Sequence, residues 1–252
     1  MNILITNDDG IFAEGIQTLA STLADSGHNL VVVAPDRERS ASGHAITITS
    51  PLRIKRMDVV QGVDCYQING TPADCVKLGI DELVEIQPDL ILSGINHGPN
   101  LGLDVLYSGT VSAAIEGWMM GMDSIAVSLA LEGEGNFLSA ADFIDQFLGR
   151  GILNQFSDRV LLNINVPDLK PKKMTGTAIT DTSYMQYDDF YQKRRDPMGN
   201  DYYWLDGDIV DNFEEGSDIW AIHNNQISIS PLKIDLINDS HKQLLQKIII
   251  DE

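Results

Sequence analysis

Several absences bound this chain before any motif is read. No apolar run approaches the ~20 residues that a membrane-spanning helix needs, so the 252 residues are expected to form a globular protein. The opening Met1-Asn2-Ile3 carries no basic segment ahead of an apolar one. That reads as no signal peptide, and a cytoplasmic location is expected. There are only two cysteines, Cys65 and Cys75, in no CxxC spacing. They exclude a zinc finger and read as reduced thiols. Positive charge is scarce: 17 Lys and Arg stand against 37 Asp and Glu, a net charge of -20. This argues against nucleic acid or an anionic membrane as the main partner. No GxxxxGK[ST] run is present, which excludes a P-loop NTPase, and no GxGxxG follows the first apolar run. Internal repeats and low-complexity segments are also missing.

Residues 1–167 alternate short apolar runs with amphipathic stretches. The candidate strands are Asn2–Thr6, Asn29–Ala34, Leu90–Ser93, Ser124–Ser128 and Val160–Ile164. The candidate helices are Glu14–Asp25, Ala73–Ile86, Val111–Met120 and Ala140–Gly149. Strands alternating with helices predict an α/β protein with a mostly parallel, doubly wound sheet. Ser50 to Ile68 alternates like an antiparallel hairpin. The character changes after Pro167. Lys170–Lys173 reads as an exposed turn, Gly176 to Leu232 as a hairpin-rich extension with a strand at Gln226–Ser230, and Ser240–Ile250 as a helix. A single domain spanning 1–252 is expected, with a core at 1–167 and an extension at 168–252.

The most informative segment is Asn7-Asp8-Asp9-Gly10, directly after the apolar run Ile3–Thr6. Ligands of open α/β sheets bind at the carboxyl ends of strands. Two carboxylates are costly to hold there unless a cation compensates them. A hard divalent ion such as Mg²⁺ or Mn²⁺ suits oxygen ligands of this kind. The plainer reading is a surface loop, or a cap for the helix near Glu14.

Four further segments carry candidate chemistry. Ser93 to Gly102 is glycine-rich, and its Asn96 offers a neutral amide oxygen. Tyr107-Ser108-Gly109-Thr110-Val111 precedes a helix of small residues, where hydroxyls and free amides form an anion site. Capping by Ser108 or Thr110 would use the same atoms. Pro35 to His44 carries Arg37, Arg39 and Ser40, alone more often a solvated loop. Asn69 to Asp74 reads first as a helix start with Thr71 as N-cap and Pro72 as first helical residue. A substrate-pocket role for Asn69 and Thr71 stays open. His44 and His97 lie in these loops as candidate acids or bases, although lone loop histidines are usually bystanders.

Taken together and in this order, these segments resemble the SurE family, the stationary-phase survival protein E family of metal-dependent 5'-nucleotidases. The resemblance continues through Asp196-Pro197-Gly199, Tyr203-Trp204-Leu205 and Ile229-Ser230-Pro231-Leu232, and so covers nearly the whole chain. It implies a three-layer Rossmann-like core and a C-terminal hairpin and helix used for oligomerisation, as a homodimer or homotetramer. It implies hydrolysis of nucleoside 5'-monophosphates, and in some members of 3'-nucleotides or short polyphosphate. It implies one divalent cation per subunit on Asp8, Asp9, Ser40 and Asn96, with Asp8, Asp9 and Asn96 acting in catalysis. The phosphate would sit on Ser108, Gly109 and Thr110. One departure stands out: many members have glycine directly after the metal-binding serine, where this chain has Ala41.

The expected chemistry is attack of water on phosphorus, activated by Asp8 or Asp9, with an aspartyl-phosphate on Asp8 as the rival route. Two other classes compete. A receiver-like regulatory domain also pairs acids after its first strand, but it is about half this length, and no equivalent of its phosphoacceptor Asp or later Lys is found. A non-catalytic metal- and nucleotide-binding regulatory protein is the alternative that keeps the same site.

Overall fold

The computed structural model describes residues 1–130, 135–183, 190–207 and 214–250. The parts of the predicted extension that fall on 184–189 and 208–213 lie outside the described residues. The chain begins with strand β1 (Asn2–Thr6), whose last four residues are all buried. A tight turn follows, in which the Asn7 side chain accepts from the Gly10 amide and donates to the Gly10 carbonyl. Helix α1 (Glu14–Asp25) then buries Gly15, Ile16, Leu19, Ala20 and Leu23. That spacing is one helical face. The bounds of β1 and α1 coincide with those read from the sequence.

The remaining elements follow the expected alternation. They are β2 (Asn29–Pro35), β3 (Ile54–Met57), β4 (Asp64–Ile68), α2 (Pro72–Leu78), β5 (Leu90–His97), α3 (Gly109–Met119), β6 (Asp123–Ala130), α4 (Phe137–Gly149) and β7 (Leu161–Pro167). After them come β8 (Gly176–Ile179), β9 (Phe190–Arg195), β10 (Asp201–Asp206), α5 (Asp218–His223), β11 (Gln226–Pro231) and α6 (Asp239–Ile249). The β3–β4 pair is antiparallel, as read. Helix α2 is shorter than the amphipathic stretch Ala73–Ile86, because the chain widens into a π-helical turn over Gly79–Leu83. No helix among the described residues is long and apolar enough to cross a membrane.

Nine strands form one sheet in the order β3-β4-β2-β1-β5-β6-β7-β11-β8. From β4 to β7 every neighbouring pair is parallel. Helices α1 and α4 cover one face through a cluster that includes Ile16, Leu19, Ile144 and Phe147. Helices α2 and α3 cover the other, through Val76 and Ala113 against Leu4 and Ile91. This is the predicted three-layer α/β architecture. Strands β8 and β11 belong to the same sheet, although the sequence assigns them to the extension. Strand β11 joins antiparallel to β7 and parallel to β8. Only β9 and β10 stand apart, as an antiparallel hairpin.

The order reverses at β1, which has β2 on one side and β5 on the other. Such a switch point opens a crevice at the carboxyl ends of the strands. Strand β5 is longer than the Leu90–Ser93 read from the sequence. After an irregularity between Ser93 and Asn96 it pairs again, Asn96 with Ser128 and His97 with Leu129. Irregularities of this kind re-aim side chains beside functional sites. Here the break lies at the carboxyl end of β5, where Asn96 precedes His97, whose amide reaches Asp9.

Candidate active site at the carboxyl ends of the central strands

Asp8 is the most buried acid of the crevice, at 4% exposed. Its Oδ1 accepts a short hydrogen bond from the Thr110 hydroxyl at the start of α3. A Cβ added to Gly109 would lie 2.8 Å from the Asp8 carboxylate. Residue 109 must therefore lack a side chain, because backbone and carboxylate are already in contact. Burial pushes the Asp8 carboxyl from the ordinary 3.8 up to about 6. The Asp9 charge adds to that rise, and the hydroxyl and amide of Thr110 oppose it.

Asp9 is half-buried, and its Oδ2 accepts from the His97 amide at 3.0 Å. Burial holds its carboxyl above the usual value, and the charge of Glu38 adds to this, while the His97 amide and ring pull it down. Glu38 is thus a third acid near the pair, which the sequence reading missed. The Asn96 amide nitrogen donates to the Gly98 carbonyl at 2.9 Å. That bond uses the nitrogen end and leaves the oxygen end of the amide available.

The Ser108–Thr110 turn opens α3 as the capping reading expects. Ser108 is the N-cap of α3, and its Oγ accepts from the Val111 amide at 3.1 Å. Ser108 and Thr110 are both buried. Helix geometry leaves the Gly109 amide without an intrahelical acceptor. The cap bond uses Ser108 Oγ as an acceptor and leaves the Gly109 amide unspent by the helix.

Ser40 is exposed and donates its hydroxyl to Glu38 at 2.7 Å. Its neighbour Arg39 donates a backbone hydrogen bond to the Asp8 carbonyl at 2.7 Å, which brings this loop to the crevice. Arg39 also pairs with Asp36 at 3.2 Å. Asn69 and Thr71 have other duties. The Asn69 side chain accepts from the Arg53 amide and donates to the Pro51 carbonyl. The Thr71 hydroxyl caps α2 by accepting from Asp74 N and donates to the Ala45 carbonyl at 2.7 Å. Both side chains hold the 45–53 segment in place. Asp74 completes a capping box and accepts from the Thr47 amide at 3.0 Å. His97 contributes its amide, and His44 pairs with Glu116.

Two supporting groups were not anticipated. Asn163 and Asn165 of β7 both donate to the Asn100 carbonyl, and Asn165 accepts from the Asn100 amide. Asp218 of α5 accepts from the Gly102 amide at 2.8 Å and from the Ser183 amide at 3.0 Å. Together they fix the loop that runs from β5 to the phosphate turn. The signal for the first group was present: Asn163 and Asn165 are two amides inside an otherwise apolar strand.

The family model described as Survival protein SurE matches residues 3–189. The chain belongs to the SurE family. It is 47% identical over 248 residues to the 5'-nucleotidase SurE of Kosmotoga olearia, covering 98% of each chain. It is 48% identical over 239 residues to the 5'-nucleotidase SurE of Gloeobacter violaceus, covering 94% of this chain and 91% of that one. The crystal structure of SurE from Aquifex aeolicus matches with a TM-score of 0.86 at 38% identity, covering 98% of this chain and 99% of that one. The Rossmann-like fold expected from the resemblance is thereby found.

The departure from the SurE pattern at residue 41 has a conformational meaning. Ala41 adopts φ 54, in the left-handed region. Glycine enters that region freely, whereas a Cβ makes it unfavourable by roughly 1–2 kcal/mol. Ala41→Gly is expected to stabilise the protein by about 1 kcal/mol after the extra freedom of glycine in the unfolded chain is subtracted. Urea unfolding would read this as a raised midpoint at unchanged slope, and a lowered midpoint would refute it.

The Asp8 environment predicts a pH effect. A carboxyl raised from 3.8 to about 6 by folding favours the folded state fully below pH 3.8, and that benefit is lost as pH climbs through about 6. Asp8→Asn removes the buried charge. In EDTA-treated protein it should be neutral near pH 4 and stabilising by about 3 kcal/mol near pH 8. Equal stability of both proteins at the higher pH would contradict this.

Proposed function

We propose that this SurE-family protein is a metal-dependent phosphomonoesterase, a 5'-nucleotidase that hydrolyses nucleoside 5'-monophosphates to nucleoside and phosphate. The observation that carries the reading is the juxtaposition of Asp8 and Asp9 with the Ser108–Thr110 helix start in one crevice. One element offers concentrated negative charge, and the other offers amides and hydroxyls suited to an anion. Between them, a phosphate and a cation satisfy both.

The donor set fits a hard divalent ion. Asp8 and Asp9 are both raised by burial, so the site is short of positive charge. Asn96 and Ser40 add neutral oxygens. Among the described residues no group of three or more His, Cys, Asp or Glu converges on one point. The oxygen donors of Asp8, Asp9, Asn96 and Ser40 suit Mg²⁺ or Mn²⁺. Asp8, Asp9, Ser40 and Asn96 would hold one such ion per subunit. When bound, the ion supplies charge neutralisation at the phosphoryl oxygens and a more acidic water.

The protein's own groups supply the rest. The Gly109 amide and the Ser108 hydroxyl bind the phosphate and stabilise charge on its oxygens, while the Thr110 hydroxyl is committed to Asp8. The Thr110 bond fixes the Asp8 rotamer, and the His97 amide fixes Asp9. Water attacks phosphorus while one of the two carboxylates accepts its proton. The ester P–O bond breaks, and the proton taken up by that carboxylate passes to the leaving nucleoside oxygen. Held in place by the fold, these contacts act at the reacting atoms.

The reading extends to assembly. Tyr203 and Trp204 of the hairpin are 56% and 61% exposed. Helix α6 buries none of its residues against the chain that carries it. A second copy of the chain is the fitting partner for both, giving a homodimer or homotetramer.

Phosphate release from AMP, GMP, CMP, UMP, 3'-AMP and short polyphosphate, with Mg²⁺, Mn²⁺ or EDTA, tests the activity. Release from 5'-nucleotides that EDTA abolishes is expected, and Asp9→Asn should lower it at least 100-fold, a loss typical of removing a group that acts in the transition state. Metal-independent release, or full turnover by the variant, would overturn the assignment. Removing residues 236–252 should reduce the sedimenting mass; an unchanged profile would count against assembly through the C-terminal helix.

A further inference from the structure

Between β2 and β3 the chain runs from Asp36 to Arg53 without regular structure. A connection of this length inside a compact domain is uncommon and usually functional. It carries Ser40, and it is tied down at discrete points. The Arg39 amide donates to Asp8, and the Gly43 amide donates to the Tyr107 carbonyl at 3.0 Å. Thr71 and Asp74 hold Ala45 and Thr47. One tie differs in kind from these: His44 Nε2 lies 2.7 Å from Glu116 Oε2.

Glu116 is a buried acid, 6% exposed in its side chain, in the middle of α3. The helix is otherwise built of small, apolar and hydroxyl residues. Its second oxygen is 2.8 Å from Lys77 Nζ on α2. Two partners thus share one buried carboxylate. Lys77 joins α2 to α3 and, among the described residues, bonds to no residue of the Ser40 loop itself. His44 joins that loop to the helix whose first turn is the phosphate turn.

We propose that His44 is a positioning residue: by binding Glu116 it fixes the Ser40 segment relative to α3, so that the Ser40 oxygen and the phosphate turn keep one geometry. The proposal rests on the metal-dependent reading above. Ser40 to Ser42 is the weak stretch between the Arg39 and Gly43 ties. Ser40 bonds only to Glu38 two residues away, and Ala41 sits in the left-handed region. Nothing within the stretch itself sets where the Ser40 oxygen points. The nearest side-chain anchor on its far side is the His44–Glu116 pair. Groups that orient a metal ligand typically contribute 10–100-fold to metal affinity.

The pairing scheme supplies its own control. His44→Ala leaves Glu116 neutralised by Lys77, so the fold is retained. Lys77→Met leaves Glu116 with His44, so the loop is retained. Mn²⁺ affinity of each protein would be measured by the loss of the free-ion signal in electron paramagnetic resonance, without substrate. The expected result is about tenfold weaker binding for His44→Ala, near-wild-type binding for Lys77→Met, and recovery with His44→Gln, which keeps a donor for Glu116. Equal weakening in the alanine and methionine variants would make the cluster merely structural and overturn the proposal, as would unchanged binding in His44→Ala. Absence of Mn²⁺ binding by the wild type would instead overturn the metal reading on which the proposal stands.

Discussion

The structure depends on one contact, the Asp8 carboxylate pressed against the first turn of α3. A buried carboxylate is unfavourable unless donors meet it. Thr110 supplies both a hydroxyl and an amide, and Gly109 leaves the space for them. This contact joins the end of β1 to a helix more than 100 residues later. It also decides which side chains can serve the crevice, because everything else is arranged around it. Arg39 bonds the Asp8 carbonyl, His97 bonds Asp9, and the Asn100 loop is held from beneath by β7 asparagines.

The site therefore trades stability for reactivity in a definable place. Two acids sit side by side, and among the described residues no positive side chain is bonded to either one. The protein offsets this through peptide dipoles and hydroxyls, which are fixed by the fold and need no rearrangement during a reaction. The Lys77–Glu116 ion pair, with His44 bonded to the same carboxylate, lies on the flank of the same helix. The carboxylates of the crevice thus lack a cationic side-chain partner among the described residues, while the ion pair on the flank holds α2 against α3.

Much of this was legible in the sequence. The bounds of β1 and α1 could be read directly, because an apolar run ending in Asn-Asp-Asp-Gly and a 3.6-residue periodicity are both strong local signals. Asp8, Asp9, Asn96 and the Ser108–Thr110 turn could be singled out as candidates for the same reason: each lies at an element's end, where local patterns are clearest. Strand β5 was cut short at Ser93, since a following glycine reads as a turn. Its continuation depends on pairing with β6, which no local pattern records. The partners of Glu116 were equally hidden, at 72 and 39 positions away. A single acid in a helix as apolar as α3 is a signal of buried pairing, but it does not name the partner. Asn69 and Thr71 were recognised as special, yet their bonds to the 45–53 segment depend on a long loop whose path no propensity dictates.

The placement of β11 bears on how the molecule is made. This strand lies between β7 and β8, and it comes after the hairpin segment in the chain. During synthesis, β1 to β7 and all the residues proposed to act on substrate leave the ribosome first. At that stage β7 presents an open edge, and β8 has no neighbour to join. An unpaired edge strand is a template for wrong pairing with other chains. The catalytic half of the nascent protein is complete before its sheet is closed, and its solubility in that interval depends on how quickly the last strand arrives.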